Sequence, residues 1–190
     1  ILGKREVGDL LTFGQNRSTG ELVHIRDVSS GLSSVLECPC GSPLVAKKGK
    51  VTSHHFAHHT KSNCQGETIY HRLAKEILKE EKRLLLSYPG KQSKVSVNFE
   101  KAHLEHRYKD FVIDCLMITN SGKKLGVEIK VTHEVDLKKR VMFRKESLGA
   151  IEIDLSHLSN MTSEPTRESI TADICDSTKY IKWVFNEKWD

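Results

Sequence analysis

Apolar residues recur at every fourth position in one stretch of this chain and at alternate positions in several others. In ETIYHRLAKEILKEEKRLL, residues 67–85, Ile69, Leu73 and Ile77 are joined by Tyr70, Ala74 and Leu78 in one stripe. That spacing predicts an amphipathic helix. YPGKQ then breaks the pattern with turn chemistry. KVSVNF, FVIDCLMI and KLGVEIKV follow as three strand candidates. DLKKRVMFRKESLG reads as a second helix stopped at Gly149. AIEIDLS is a fourth strand, NMTSEPTRE a loop, SITADICDS a short helix, and KYIKWVFNE alternates like a last strand. Upstream, residues 1–66 are rich in Gly, Ser, Cys and His, with short strand-like pieces such as ELVHI and PLVAKKG. The order predicts an α/β (α+β) sandwich, with a β-rich module over 1–66 and a larger domain over 67–190. No internal repeat or low-complexity tract interrupts it.

Composition narrows the class. The chain has 190 residues, 37% hydrophobic and 29% charged, enough for one substantial core with a small appended module. No apolar run approaches the roughly 20 residues of a membrane-spanning helix, so no membrane partner is expected. The opening ILGKREVGDLL has neither a secretory apolar core nor a small-residue cleavage site, and it begins on Ile. The expectation is a cytoplasmic protein whose start is trimmed or processed. Net charge is +5. The excess lies in residues 1–66, with 8 basic and 5 acidic groups, and in 67–155, with 18 and 14. Such a balance suits a polyanionic partner. The five cysteines are an odd number without a signal peptide, which argues against a disulfide framework.

GVEIKVTH, residues 126–133, places opposite charges two positions apart among apolar neighbours. On a strand Glu128 and Lys130 share one face, while Val127, Ile129 and Val131 fill the core behind them. TNSGKK has turn chemistry. A hairpin centred near Ser121 sets Asp114 seven residues before the centre and Glu128 seven after. Their Cβ atoms would then lie roughly 5 Å apart. Asp110 is the rival acid, two rungs away. Two carboxylates this close repel, and a divalent cation resolves the conflict. Oxygen ligands of this kind suit Mg²⁺ or Mn²⁺, and the Lys130 ammonium could orient a water or stabilise charge on a phosphate. On the preceding helix Glu67, His71 and Lys75 recur over about 80° of arc. The bland alternative for all of these residues is a solvated sheet face and a charged helix stripe.

LECPCGSPLVAKKGKVTSHHFAHHTKSNC offers Cys38, Cys40, His54, His55, His58, His59 and Cys64. Zinc takes four N or S ligands in a tetrahedron. Cys38, Cys40, Cys64 and one histidine would supply a closed structural site. His58 is the preferred histidine and His55 the next.

Together these segments resemble the CoiA-like competence-protein family, whose catalytic domain belongs to the PD-(D/E)XK nuclease superfamily. The resemblance runs from about residue 13 to 187. It is carried by CPCGSPLVAKKG, HHFAHH, Cys64, ETIYH, FVIDC and VEIKVTH, in that order, with VDLKKRV and AIEIDLS behind them. CPC is one residue shorter than the family's usual knuckle, and Asp114 is not preceded by Pro. The resemblance implies a restriction-endonuclease-like core, a mixed central sheet flanked by helices, with a zinc-binding β module before it. It implies a metal-dependent nuclease in which Asp114, Glu128 and the Ile129 carbonyl hold Mg²⁺ and Lys130 is the catalytic lysine. Glu67 would be an accessory acid, with His71 and Lys75 facing the same cleft. Lys47, Lys48, Lys50, Arg72 and Lys75 are candidate contacts to a nucleic-acid backbone, with DNA the expected substrate. A homodimer or a partner protein is left open. The alternative function is a non-catalytic nucleic-acid-binding zinc module on an inactive nuclease fold.

Overall fold

The computed structural model describes residues 11–60, 67–131, 135–160 and 164–186. They form a mixed α+β structure with three α-helices. The chain divides into two compact units, residues 1–70 with 156–166, and residues 71–155 with 167–190.

The first unit is built on five antiparallel strands, β1 (Phe13–Asn16), β2 (Leu22–His24), β3 (Gly31–Glu37), β4 (Pro43–Lys47) and β5 (His55–His58). They are ordered β2-β1-β3-β4-β5. Phe13, Leu36, Leu44, Ala46 and Phe56 are buried. Leu44 and Ala46 alternate with more exposed neighbours along β4, the period of a half-buried strand. Gly14 is required by a close approach, since a Cβ there would sit 3.0 Å from Leu44 Cδ1. Segment 156–166 supplies Pro165, whose carbonyl accepts from the buried Thr12 hydroxyl at 3.0 Å.

The second unit holds most of helix α1 (Glu67–Glu81), a β6–β7 hairpin (Arg83–Ser87, Lys94–Asn98), and a five-stranded sheet. Its strands are β8 (Lys101–Tyr108), β9 (Phe111–Ile118), β10 (Lys124–Lys130), β11 (Ala150–Asp154) and β12 (Ile181–Phe185), in the order β12-β11-β10-β9-β8. Helix α2 (Leu137–Lys145) joins β10 to β11, and α3 (Arg167–Cys175) precedes β12. The β10–β11 pair is parallel and every other pair in that sheet is antiparallel. Parallel neighbours need a crossover, and α2 provides it. No helix among the described residues is long and apolar enough to cross a membrane.

Two helix boundaries differ from the sequence pattern. The helix predicted over 67–85 ends at Glu81, and Lys82 takes a left-handed φ of 48°. Beyond it Leu84 and Leu86 are both buried at a period of two, so RLLLS is strand β6, not a last helical turn. The second helix stops at Lys145 rather than at Gly149. Ser147 takes the left-handed position with φ 48°, and the Leu148 N–H returns to the Phe143 carbonyl at 3.0 Å. That is the Schellman arrangement, achieved without glycine. Strands β1, β3 and β8 fall in segments where no strand is expected from the sequence, although β8 alternates half-buried and exposed positions along its length. Strand β8 is a charged edge strand, KAHLEHRY, whose composition guards its open side.

Strand β10 packs closely on α2. A Cβ on Gly126 would stand 2.8 Å from Phe143 Cε1. Phe143, Ile113, Leu116, Met142, Leu148 and Ala150 form one buried cluster around it.

Candidate functional site

The β9–β10 turn spans Thr119 to Lys123 and is closed by Thr119 N–H to Lys123 O at 2.9 Å. The ladder runs from Ile118 opposite Lys124 to Cys115 opposite Val127. This is the register expected of a turn centred on Ser121. The next rung would pair Asp114 with Glu128. There the ladder ends. The Ile129 N–H is met by Asp114 Oδ2 at 2.9 Å, so a side chain takes the place of a main-chain acceptor. Asp110 lies outside this arrangement, exposed in the β8–β9 turn.

Helix α1 adds two hydrogen-bonding side chains, His71 and Lys75. His71 Nε2 donates to Asp114 Oδ2 at 3.0 Å, and Lys75 Nζ lies 3.8 Å from Asp114 Oδ1. His71 and Lys75 are one helical turn apart, which brings both to the same carboxylate. Lys75 also bonds Glu105 of β8. Burial pushes the Asp114 carboxyl upward. The bond and charge of His71, the Ile129 N–H and the charge of Lys75 outweigh that and hold it below the ordinary carboxylate range.

Glu128 is held differently. It is 4% exposed. Its Oε2 accepts from Lys139 Nζ of α2 at 2.7 Å, while its buried Oε1 has no hydrogen-bond partner among the described residues. Burial, then the charge of Asp114, push Glu128 up to about 7, against the opposing bond from Lys139. Because the Asp114 charge raises Glu128, the two acids resist simultaneous ionisation, and the one with more donors keeps its charge.

Lys130 leaves the same strand two positions on. Its Nζ donates to Asp154 Oδ2 at 2.8 Å. The parallel ladder sets Lys130 opposite Asp154 and Glu128 opposite Glu152. Glu152 is buried, and its Oε2 accepts from the Val135 N–H at 2.7 Å just before α2. Lys139, Asp154 and Glu152 were not singled out in the sequence. Asp154 and Glu152 are found only once strand order is known. Lys139 gave no signal apart from its neighbours in DLKKRV.

The structure thus gathers Asp114, Glu128, Ile129, His71 and Lys75, with Lys130 on the strand that carries Glu128. Glu67 opens α1, and its side chain is outside the described residues. Arg72 Nε bonds Glu76 along the helix at 3.2 Å.

The first unit carries a separate cluster. The CPCGS turn closes through Cys38 N–H to Ser42 O at 2.9 Å and Gly41 N–H to Cys38 O at 2.7 Å, with Gly41 at φ 85°. It brings the two thiols to one side. The β4–β5 register sets His58 opposite Leu44, beside the end of this turn. Cys40 Sγ and His58 Nε2 lie 3.5 Å apart. The donor atoms of Cys38, Cys40 and His58 all fall within 4.8 Å of one another, a group that could hold a metal such as zinc. His55 sits at the other end of β5, opposite Lys47, its ring bonded to the Ser53 carbonyl at 2.9 Å. Cys64 lies outside the described residues. Of the basic candidates in this unit, Lys47 and Lys50 are exposed, while Lys48 Nζ donates to the Val28 carbonyl at 2.7 Å.

Comparison with known proteins bears on the first of these units. Residues 34–67 match the family described as Competence protein CoiA, N-terminal domain. The matched segment contains Cys38, Cys40, His58 and Cys64. No curated protein and no solved structure matches the chain.

Proposed function

We propose that this CoiA-like chain is a metal-dependent nuclease of the PD-(D/E)XK type, acting on DNA in uptake, processing or defence against foreign DNA. One observation carries the reading. Asp114 and Glu128 lie just past the last rung of the β9–β10 ladder, and the buried Glu128 keeps Oε1 without a hydrogen-bond partner among the described residues. Leaving such an atom unsatisfied costs about 1–3 kcal/mol or more. A hard divalent cation shared with Asp114 removes that cost, and an all-oxygen donor set suits Mg²⁺ or Mn²⁺.

Asp114, Glu128 and the Ile129 carbonyl would hold the cation. When bound, it supplies a Lewis acid beside the scissile phosphate. The chain's own groups do the rest. His71 and the Ile129 N–H fix the Asp114 carboxylate through Oδ2, which leaves Oδ1 for a ligand. Lys139 opposes the burial that would neutralise Glu128. The Lys130 ammonium, two residues from Glu128, offers positive charge where the pentavalent phosphate gains negative charge. His71 and Lys75 add to that field from α1. The family resemblance gives Glu67 the role of an accessory acid. The exposed Lys47 and Lys50 are available to backbone phosphates without reading sequence. The Cys38, Cys40 and His58 group, completed by Cys64, holds a structural zinc in this reading.

The test is a cleavage assay on single- and double-stranded DNA and RNA with Mg²⁺, Mn²⁺ or EDTA. Cleavage is expected with divalent cation and absent with EDTA. Glu128→Ala and Lys130→Ala are expected to abolish it while the circular dichroism spectrum is kept. Full activity in both folded variants would sink the mechanism. If Mg²⁺ titration by calorimetry shows no binding that depends on Asp114, the chain is instead a nucleic-acid-binding zinc module on an inactive fold.

A further inference from the structure

We propose that Asp154, at the end of β11, is the positioning residue of Lys130. This rests on the nuclease reading of the Asp114–Glu128 site. In the parallel ladder the two residues are directly opposed. Paired positions send their side chains to one face of the sheet, so the register itself delivers a carboxylate beside the lysine. The contact is 2.8 Å, with the lysine side chain 17% exposed and the aspartate 36%.

The backbone around Asp154 is tied on both sides. Its N–H bonds the Tyr180 carbonyl at 2.8 Å, and the next N–H, of Leu155, bonds the Lys130 carbonyl at 2.7 Å. The carboxylate is therefore mounted on a rigid three-strand junction. A lysine carries about 2 kcal/mol of rotamer entropy, so its ammonium wanders unless something holds it. Asp154 holds it. It also competes with Glu128, two residues back on the same strand, for that ammonium. Glu128 already has Lys139 at 2.7 Å. Each lysine is thereby given its own acid, and Lys130 does not collapse onto the carboxylate that is to hold the cation.

Asp154 touches no reacting atom in this account and acts only through Lys130. Two measurements test it. The first reads the lysine directly, by ¹H–¹³C NMR of lysine Cε in the full chain, with Lys130→Arg to assign the signal. Non-equivalent Hε protons are expected for Lys130, collapsing to an averaged signal in Asp154→Ala. The second reads catalysis. Asp154→Ala is expected to lower kcat at least tenfold with KM and calorimetric Mg²⁺ affinity within twofold. Asp154→Asn, which keeps an acceptor oxygen, should recover part of that loss.

An averaged Lys130 signal in the wild type would overturn the proposal. So would kcat within twofold of wild type in Asp154→Ala. If the NMR signature is found and the wild type cleaves nothing, the positioning stands and the nuclease reading falls.

Discussion

Glu128→Gln should make this protein more stable at alkaline pH while disabling it. In the fold, Glu128 is raised from 4.5 to about 7, chiefly by burial and next by the Asp114 charge. A raised carboxyl favours the folded state while it is protonated. That contribution is complete below 4.5 and is lost as pH climbs through about 7. The loss is about 3 kcal/mol by pH 8. Glutamine carries no charge to desolvate and none to repel Asp114, so it avoids that loss. The opposing bond from Lys139 is already contained in that raised value. The net expectation at pH 8 is about 3 kcal/mol of stabilisation, or a Tm about 6–12 °C higher for a chain of this size. At pH 5 the wild-type carboxyl is mostly protonated and the two proteins should melt together. The assay is thermal unfolding at both values in EDTA. Added Mg²⁺ should then raise the wild-type Tm at pH 8 and leave Glu128→Gln unmoved, since a ligand stabilises only the state that binds it. Equal destabilisation of the variant at pH 5 and pH 8 would refute the electrostatic argument.

The other expectations are more local. Gly126→Ala brings a Cβ to 2.8 Å from the buried Phe143 ring, and urea unfolding should show a loss of about 1–3 kcal/mol, partly recovered by Phe143→Leu. Cys38→Ser and His58→Ala should each lower the zinc content of purified protein from near one per chain, measured by mass spectrometry of the metal, and chelation should lower the wild-type Tm. His71→Ala removes the largest influence that lowers the Asp114 carboxyl. Since that carboxyl is depressed in the fold, its stabilising contribution is present above 3.8 and lost as pH falls through the folded value. Acid unfolding of His71→Ala should therefore begin at higher pH than in the wild type.

The parts of the site legible in the sequence are those set by local periodicity and one short turn. A period of two puts Glu128 and Lys130 on one face. The turn chemistry of TNSGKK fixes the β9–β10 register, which runs as far as Cys115 opposite Val127. A period near four puts His71 and Lys75 on one side of α1. The partners of those residues were not legible, because they depend on which strand lies beside which. Asp154 and Glu152 stand beside Lys130 and Glu128 only because β11 returns parallel to β10, a neighbour relation that no local pattern encodes. Boundaries failed where two signals competed. RLLL continued the helical composition of α1 yet alternated like a strand, and a left-handed Lys82 decided for β6. Gly149 looked like the helix stop, but Ser147 closes α2 two residues earlier.

The same neighbour relation explains why β10 can carry so much charge inside a core. Its odd positions, Leu125, Val127 and Ile129, are buried. Its even positions are paired outward in turn. Gly126 gives up its side chain to let Phe143 in, Glu128 meets Lys139 from α2, and Lys130 meets Asp154 from β11. A buried ion left unmatched costs several kcal/mol, so each of these partners is a condition for the strand to exist where it does. Their geometry also leaves one buried oxygen, Glu128 Oε1, outside those bonds. The helix crossover that makes β11 parallel is thus the element that arranges the site. It supplies Lys139 on the way and delivers Asp154 at the end.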